Sequence, residues 1–136
     1  MTRTYDADLC VSREPGNIDR LVGALGELGA VLRDPHSGLA VSDVPVGPDL
    51  FGPGAQTVIF ATDDGPVDVV FRPDGTEGFD DLTRDAVTVV HAGVAVRVAS
   101  ARDIVRSKAA ANRAKDRRTL PVHEKWLSRQ ARPPRA

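Results

Sequence analysis

The turn Asp63-Asp64-Gly65, set between two short apolar runs, is the feature that most restricts how this chain folds. The flanking runs, Thr57–Thr62 and Val67–Phe71, are rich in β-branched and aromatic residues, which favour strands. Asp and Gly supply the backbone conformations that a tight turn needs. The pattern therefore predicts an antiparallel hairpin, and with it a β-sheet at the centre of the fold.

Strand and helix patterns alternate around this hairpin. Residues 5–11 predict a short strand, and the apolar residues at helical spacing over 18–28 predict an amphipathic helix. Asn17 is its expected N-cap and Gly29 its expected stop. A long loop is predicted over 34–55, because Pro, Gly, Ser and Asp dominate there. Loops of this length in compact domains are often functional. The same patterns predict further strands over 30–33, 39–41, 87–90 and 94–98, a helix over 101–111 that Ser100 caps, and a helix over 115–130 that Pro121 interrupts.

These elements predict an α/β chain of the α+β type, with a mixed, largely antiparallel β-sheet flanked by helices and a C-terminal helical segment. The 136 residues fit one domain. We expect that domain over 1–131, with the sheet in 1–98, a basic helical part in 99–131 and a frayed tail at 132–136. Aromatic residues make up only 4% of the chain, so the expected core is mostly Val, Leu, Ala and Ile.

Composition also bears on location. Cys10 is the single cysteine, which excludes an internal disulfide and favours a reducing compartment. No apolar stretch is long enough to span a bilayer, and the first residues have no apolar signal region. We therefore expect a cytoplasmic protein without membrane contacts.

Charge is divided unequally along the chain. Residues 97–136 contain twelve Lys and Arg but three acidic residues, whereas the whole chain has a net charge of −1. A basic segment of this kind favours phosphate-rich partners such as nucleotides or RNA. The alternative is a segment that balances the chain's own acidic half or forms a solvated helix face.

Three aspartates predict a metal site. Side chains alternate between the faces of a strand, so Asp6 and Asp8 point the same way. Asp68 lies among the apolar residues of the Val67–Phe71 strand, where an ionised carboxylate needs a partner. A divalent ion shared by the three would be such a partner, and hard oxygen ligands favour Mg²⁺ or Mn²⁺. The alternative is an Asp68 that binds backbone amides or Arg72.

A second cluster combines cations with an amide. If the helix at 101–111 continues, four residues at the spacing i, i+4, i+7 and i+8 lie on one face of it: Lys108, Asn112, Lys115 and Asp116. Two lysines and an amide on one stripe suit the phosphates of a nucleotide. The alternative is an exposed basic stripe with ordinary pairing between neighbouring turns.

Several of these segments together resemble a known group. They are Thr4-Tyr5-Asp6-Ala7-Asp8-Leu9, Val67-Asp68-Val69-Val70, the strand exit Gly93–Ser100, and Ser107-Lys108 followed by Arg113-Ala114-Lys115-Asp116. In this order they resemble the small bacterial nucleotidyltransferase-like proteins of the polymerase-beta-like superfamily, which include abortive-infection toxins of toxin–antitoxin pairs. The resemblance implies a minimal nucleotidyltransferase fold.

The resemblance also implies roles for the residues. Asp6 and Asp8 would be the metal pair and Asp68 the third carboxylate and base. Lys108 and Lys115 would face a triphosphate, with Asp116 orienting them. Members of the superfamily carry a Gly-Gly or Gly-Ser loop ahead of the first aspartates, and its amides cradle phosphates. Only five residues precede Asp6 here, so we expect the printed chain to lack that loop.

Three functions follow as hypotheses. The first is a magnesium-dependent transferase that moves a nucleoside monophosphate from an NTP to a hydroxyl of RNA, protein or a small molecule. The second is a truncated, non-catalytic relative that binds a partner protein, or a second copy of itself, as part of a toxin–antitoxin-like pair. The third is a basic RNA-binding module without nucleotide chemistry.

Overall fold

A computed structural model describes residues 6–130 of the chain, without the side chains of residues 114–116, 119, 123, 126 and 130. Two compact units divide the chain, the first ending at Arg72 and the second beginning at Pro73. The sequence predicts an internal division between residues 98 and 99. In the structure the second hairpin instead lies in the unit that contains the later helices. The predicted tail at 132–136 lies outside the described residues.

The first unit is built on a five-stranded sheet with the strand order β1-β5-β4-β2-β3. Only β1 and β5 run parallel, and the other neighbours are antiparallel. The predicted α+β class with a mixed, largely antiparallel sheet is therefore confirmed. The strands are β1 (Ala7–Cys10), β2 (Val31–Arg33), β3 (Ala40–Val41), β4 (Thr57–Ala61) and β5 (Val67–Val70).

The hairpin expected at the centre of the sheet forms as predicted. β4 and β5 pair antiparallel, with Ile59 opposite Asp68 and Phe60 opposite Val67. Thr62 and Gly65 close the turn by exchanging two backbone hydrogen bonds of 3.2 Å. The Thr62 hydroxyl also donates to the Gly65 carbonyl at 2.7 Å, so a side-chain hydrogen bond stabilises the turn as well.

Helix α1 (Pro15–Glu27) covers one face of this sheet. Ile18 and Leu25 are buried there, and Gly29 follows the end of the helix as expected, with φ 62°. The predicted cap was wrong: the helix begins at Pro15, whose fixed φ suits the first helical position, and Glu14 precedes it. Asn17 instead donates its side-chain amide to the Ser12 carbonyl at 3.0 Å.

Phenylalanine contributes more to the core than the composition suggested. Phe51, at the end of a short 3-10 helix (Pro48–Phe51), has its ring centroid 6.0 Å from that of Phe60 and 6.1 Å from that of Phe71. All three are at most 5% exposed and pack with Val67 and Val69. The predicted aliphatic core is nevertheless confirmed in the described part of the chain, because four of the seven buried core residues are Ile, Leu or Val and the partly buried residues packed against them are Val, Leu or Ala.

The second unit contains a separate hairpin and the helices. Strands β6 (Val87–His91) and β7 (Val94–Val98) pair antiparallel, as predicted. Helix α2 (Phe79–Arg84) was not predicted, whereas α3 (Ala101–Ala111) has the expected bounds and α4 (Ala114–Gln130) continues through Pro121. The Ser100 hydroxyl caps α3 by accepting from the Asp103 amide at 3.1 Å. None of the described helices combines the length and apolar character needed to cross a bilayer.

A buried carboxylate joins α2 to α3. Asp81 accepts from the Glu77 amide at 2.9 Å, from Arg84 at 2.7 Å and from Arg106 at 2.9 Å. The Glu77 amide and then the Arg84 guanidinium lower the pKa of Asp81 to about 2. A carboxylate with a depressed folded-state pKa stabilises the fold above its unfolded value near 3.8. That contribution is lost as the pH falls through 2.

Gly75 should tolerate no side chain. Its φ is +72°, and a Cβ there would lie 2.6 Å from the Cβ of Ala110 on α3. We expect Gly75→Ala to lower the free energy of unfolding by roughly 2–5 kcal/mol, because strain and overpacking add. Gly93→Ala has similar backbone strain (φ +77°) but open space around the new Cβ, so it should cost roughly 1–2 kcal/mol. Urea denaturation measures both, and equal costs would contradict the proposed clash.

Candidate metal site

The sheet brings the three predicted aspartates to one face. β1 and β5 pair in parallel, with Asp8 opposite Asp68 in the register. Asp6 precedes Asp8 by two residues, so its side chain emerges on the same face. The opposite face of β5 presents Val67 and Val69 to the core. The alternation of buried valine and polar aspartate along β5 therefore separates the core from the site.

The carboxylates of Asp6, Asp8 and Asp68, together called the carboxylate triad, are close enough to share one ion. Each offers an oxygen, and these oxygens all lie within 4.8 Å of one another. Asp6 and Asp68 are half-buried, and Asp8 is exposed. Asp6 and Asp8 both act on Asp68, each through a side-chain hydrogen bond and through its charge.

Like charges at this distance perturb the triad. Burial, then the hydrogen bond and negative charge of Asp6, and then the charge of Asp8 together raise the pKa of Asp68 to about 6. Below about pH 6 the folded chain therefore holds a proton on Asp68, within the triad. A divalent cation can replace that proton, because it neutralises the same concentrated negative charge.

The donor set fits a hard divalent cation. Carboxylate oxygens are the ligands that Mg²⁺ and Mn²⁺ prefer. Two oxygens bound to one Mg²⁺ at about 2.1 Å can be at most about 4.2 Å apart. The oxygens of the triad fall within 4.8 Å of one another, which is close to this span.

An open pocket of about 310 Å³ adjoins the triad. Asp6 and Asp68 form one acidic wall, and Ile59 and Pro66 contribute apolar surface. The remaining lining residues come from the end of β2 and the turn that follows it: Arg33, Asp34, Pro35 and Gly38. This volume lies at the lower end of the roughly 300–1,000 Å³ typical of small-molecule sites. The triad therefore faces a space that a ligand can occupy.

The predicted phosphate-binding residues lie in the second unit. Lys108 is in the last turn of α3, and Asn112 caps that helix in the left-handed conformation, with φ 49° and ψ 36°. The helix ends there, so the condition for a single stripe of Lys108, Asn112, Lys115 and Asp116 is not met. Lys115 and Asp116 are in α4, but their side chains are outside the described part of the chain. The phosphate-binding roles of these four residues stay predictions.

One residue of the pocket was missed by the sequence analysis. Arg33 ends β2, directly before the turn Asp34-Pro35-His36-Ser37-Gly38. The turn residues are recognisable from sequence, since Asp, Pro, Ser and Gly are typical of turns. No local pattern indicates, however, that this turn faces the triad, because that depends on the strand order of the sheet.

Fold and site together define a class of protein: an α+β chain with a carboxylate triad that suits a hard divalent cation, beside a small open pocket. Comparisons with models of protein families, with curated proteins and with solved structures find no match for this chain.

Proposed function

We propose that the carboxylate triad holds Mg²⁺ or Mn²⁺ and that this chain is a nucleotidyltransferase of the polymerase-beta-like type. The substrate would be an NTP, and the acceptor a hydroxyl of RNA, protein or a small molecule in the bacterial cytoplasm. The observation that supports this most is the register of Asp8 opposite Asp68, which gathers three carboxylate oxygens within 4.8 Å of one another. The sequence resemblance names the same three residues.

In the proposed reaction the acceptor oxygen forms a bond to the α-phosphorus, and the bond from that phosphorus to the pyrophosphate oxygen breaks. Pyrophosphate leaves with the electron pair, and the hydroxyl proton passes to a carboxylate, for which Asp68 is the candidate. When bound, the metal ion stabilises the charge that develops on the phosphoryl and leaving-group oxygens. Asp6, Asp8 and Asp68 would hold the ion, and the adjoining pocket would receive the substrate.

The direct test is label transfer. The full chain is incubated in Mg²⁺ with each of the four NTPs labelled on the α-phosphate, in the presence of bulk RNA or a protein extract. We expect one or more NTPs to leave label on an acceptor, and Asp68→Asn to abolish it. Asp64→Asn is the matched control, since Asp64 is an exposed turn residue of the same hairpin.

The outcome has two parts. Transfer that survives Asp68→Asn would contradict the role of the triad. If no label is transferred, calorimetric titration with each NTP in Mg²⁺ separates a chain that binds nucleotide from one that does not. A chain that binds neither metal nor NTP would overturn the proposal.

A second candidate function, partner binding without catalysis, is favoured by the β6–β7 hairpin. Its register puts five valines on one face, and each of them is at least 38% exposed: Val87, Val89, Val94, Val96 and Val98. Exposed apolar patches of this kind are typical of interaction surfaces. Analytical ultracentrifugation tests it: Val89→Thr with Val96→Thr should reduce any self-association, and Asp68→Asn should not.

A further inference from the structure

The pocket beside the triad contains a cation as well as carboxylates. Among its described lining residues, Arg33 is the positively charged one. It ends β2, while Asp6 and Asp68 line the same space of about 310 Å³. A pocket that has an acidic wall and a guanidinium presents both charges that a metal–polyphosphate complex requires.

The turn between β2 and β3 holds Arg33 in place. The Arg33 Nε donates to the Gly38 carbonyl at 3.1 Å. Gly38 has φ +73°, a backbone conformation that favours glycine, and a Cβ there would lie in tight contact with the Nη2 of Arg33, at 3.3 Å. The Asp34 carboxylate accepts from the amides of His36 and Ser37 at 2.8 Å each, which builds the turn.

Asp34 is thereby committed to the turn. The amides of Ser37 and His36 lower its pKa, so it remains ionised and bound to the backbone. Arg33 makes one hydrogen bond in the described part of the chain and no ion pair there, so the remaining N–H groups of its fork are available to a ligand. A guanidinium fixed at Nε, with its terminal nitrogens available, is suited to phosphate oxygens.

We propose that Arg33 is the anion-binding residue of this pocket and that it contacts the phosphate chain of the substrate held at the triad. The inference rests on the proposed function, since the triad must hold the metal. It adds a phosphate-binding cation that belongs to the same unit as the triad. The phosphate-binding residues predicted from sequence all belong to the second unit.

The experiment separates metal binding from anion binding. Mn²⁺ binding to the full chain is measured first, from the decrease of the free-ion signal in electron paramagnetic resonance. Inorganic tripolyphosphate is then titrated calorimetrically at saturating Mn²⁺. We expect Arg33→Gln to bind Mn²⁺ like the wild type but to bind tripolyphosphate about tenfold more weakly, because a charge-assisted hydrogen bond is lost.

Two further variants sharpen the result. Arg20→Gln removes an arginine from the exposed face of α1, outside the pocket, and should leave both affinities unchanged. Arg33→Lys keeps the charge without the planar fork and should fall between wild type and Arg33→Gln. It also serves as the deciding variant if circular dichroism shows that Arg33→Gln is misfolded.

Each outcome is decisive. Tripolyphosphate affinity that is unchanged in Arg33→Gln would overturn the role of Arg33 while leaving the metal site intact. Loss of Mn²⁺ binding in a folded Arg33→Gln would show that Arg33 supports the triad, and this would also overturn its role as the anion-binding residue. A wild-type chain that binds no Mn²⁺ would refute the proposed function, and with it this inference.

Discussion

Asp8→Asn is expected to weaken Mn²⁺ binding by about 100-fold or more. Changing a residue that merely supports a metal ligand typically costs roughly 10- to 100-fold in affinity, and Asp8 would be a ligand itself. The change replaces a charged carboxylate with a neutral amide of the same size, so the β1–β5 pairing has no steric reason to break. The measurement is a Mn²⁺ titration followed by electron paramagnetic resonance, with folding checked by circular dichroism.

The matched control for this change is Asp19→Asn. Asp19 is an exposed residue of α1 and lies outside the triad, so its replacement removes the same charge from the same unit. Its Mn²⁺ affinity should stay within about twofold of the wild type, because exposed charges are largely screened. Equal losses in the two variants would mean that net charge alone attracts the ion, and the triad would have no special role.

Asp68→Asn is expected to stabilise the metal-free chain at pH 8. Burial and the neighbouring carboxylates oppose the ionised form of Asp68, as its raised pKa of about 6 shows. Asparagine removes that opposition while keeping the shape. We expect a rise in Tm of about 2–5 °C after allowing for solvent screening of a half-exposed group. Differential scanning calorimetry in EDTA measures it.

The pH dependence fixes the sign of this effect. A carboxyl whose pKa is raised on folding favours the folded state below its unfolded value of 3.8, and this contribution is lost as the pH rises through about 6. Tm of the wild type should therefore fall relative to Asp68→Asn between about pH 4 and pH 6, and saturating Mn²⁺ should restore the wild type alone. A difference that is the same at pH 4.5 and pH 8 would show that Asp68 does not titrate in this range.

The elements of the fold that depend on local chemistry were predictable. The hairpin of β4 and β5 follows from two β-branched runs and a turn, and the bounds of α3 follow from the Ser100 cap. Helix α2 was missed because its six residues are too short for periodicity to show, and the bonds of Asp81 to Glu77 and to Arg106 on α3 hold it in place. The bond to Arg106 joins residues 25 apart in sequence and leaves no local pattern.

The site was predictable only in part. Period-two alternation places Asp6 and Asp8 on one face, and an aspartate among valines singles out Asp68. That the two segments meet was inferred from resemblance, because the parallel pairing of β1 with β5 joins segments that are distant in sequence. Arg33 could not be found at all, since its closeness to the triad results from the strand order.

Because β1 lies at the edge of the sheet, its local fraying should respond to ligand binding. β1 has one neighbour, β5, and four residue pairs hold it there. Edge strands exchange their amide hydrogens through local fraying more readily than central ones. An ion that links Asp8 to Asp68 would tie this edge strand more firmly to its neighbour β5. Metal binding would then slow the deuterium uptake of the amides of Ala7–Cys10, while the uptake of β4 would stay unchanged.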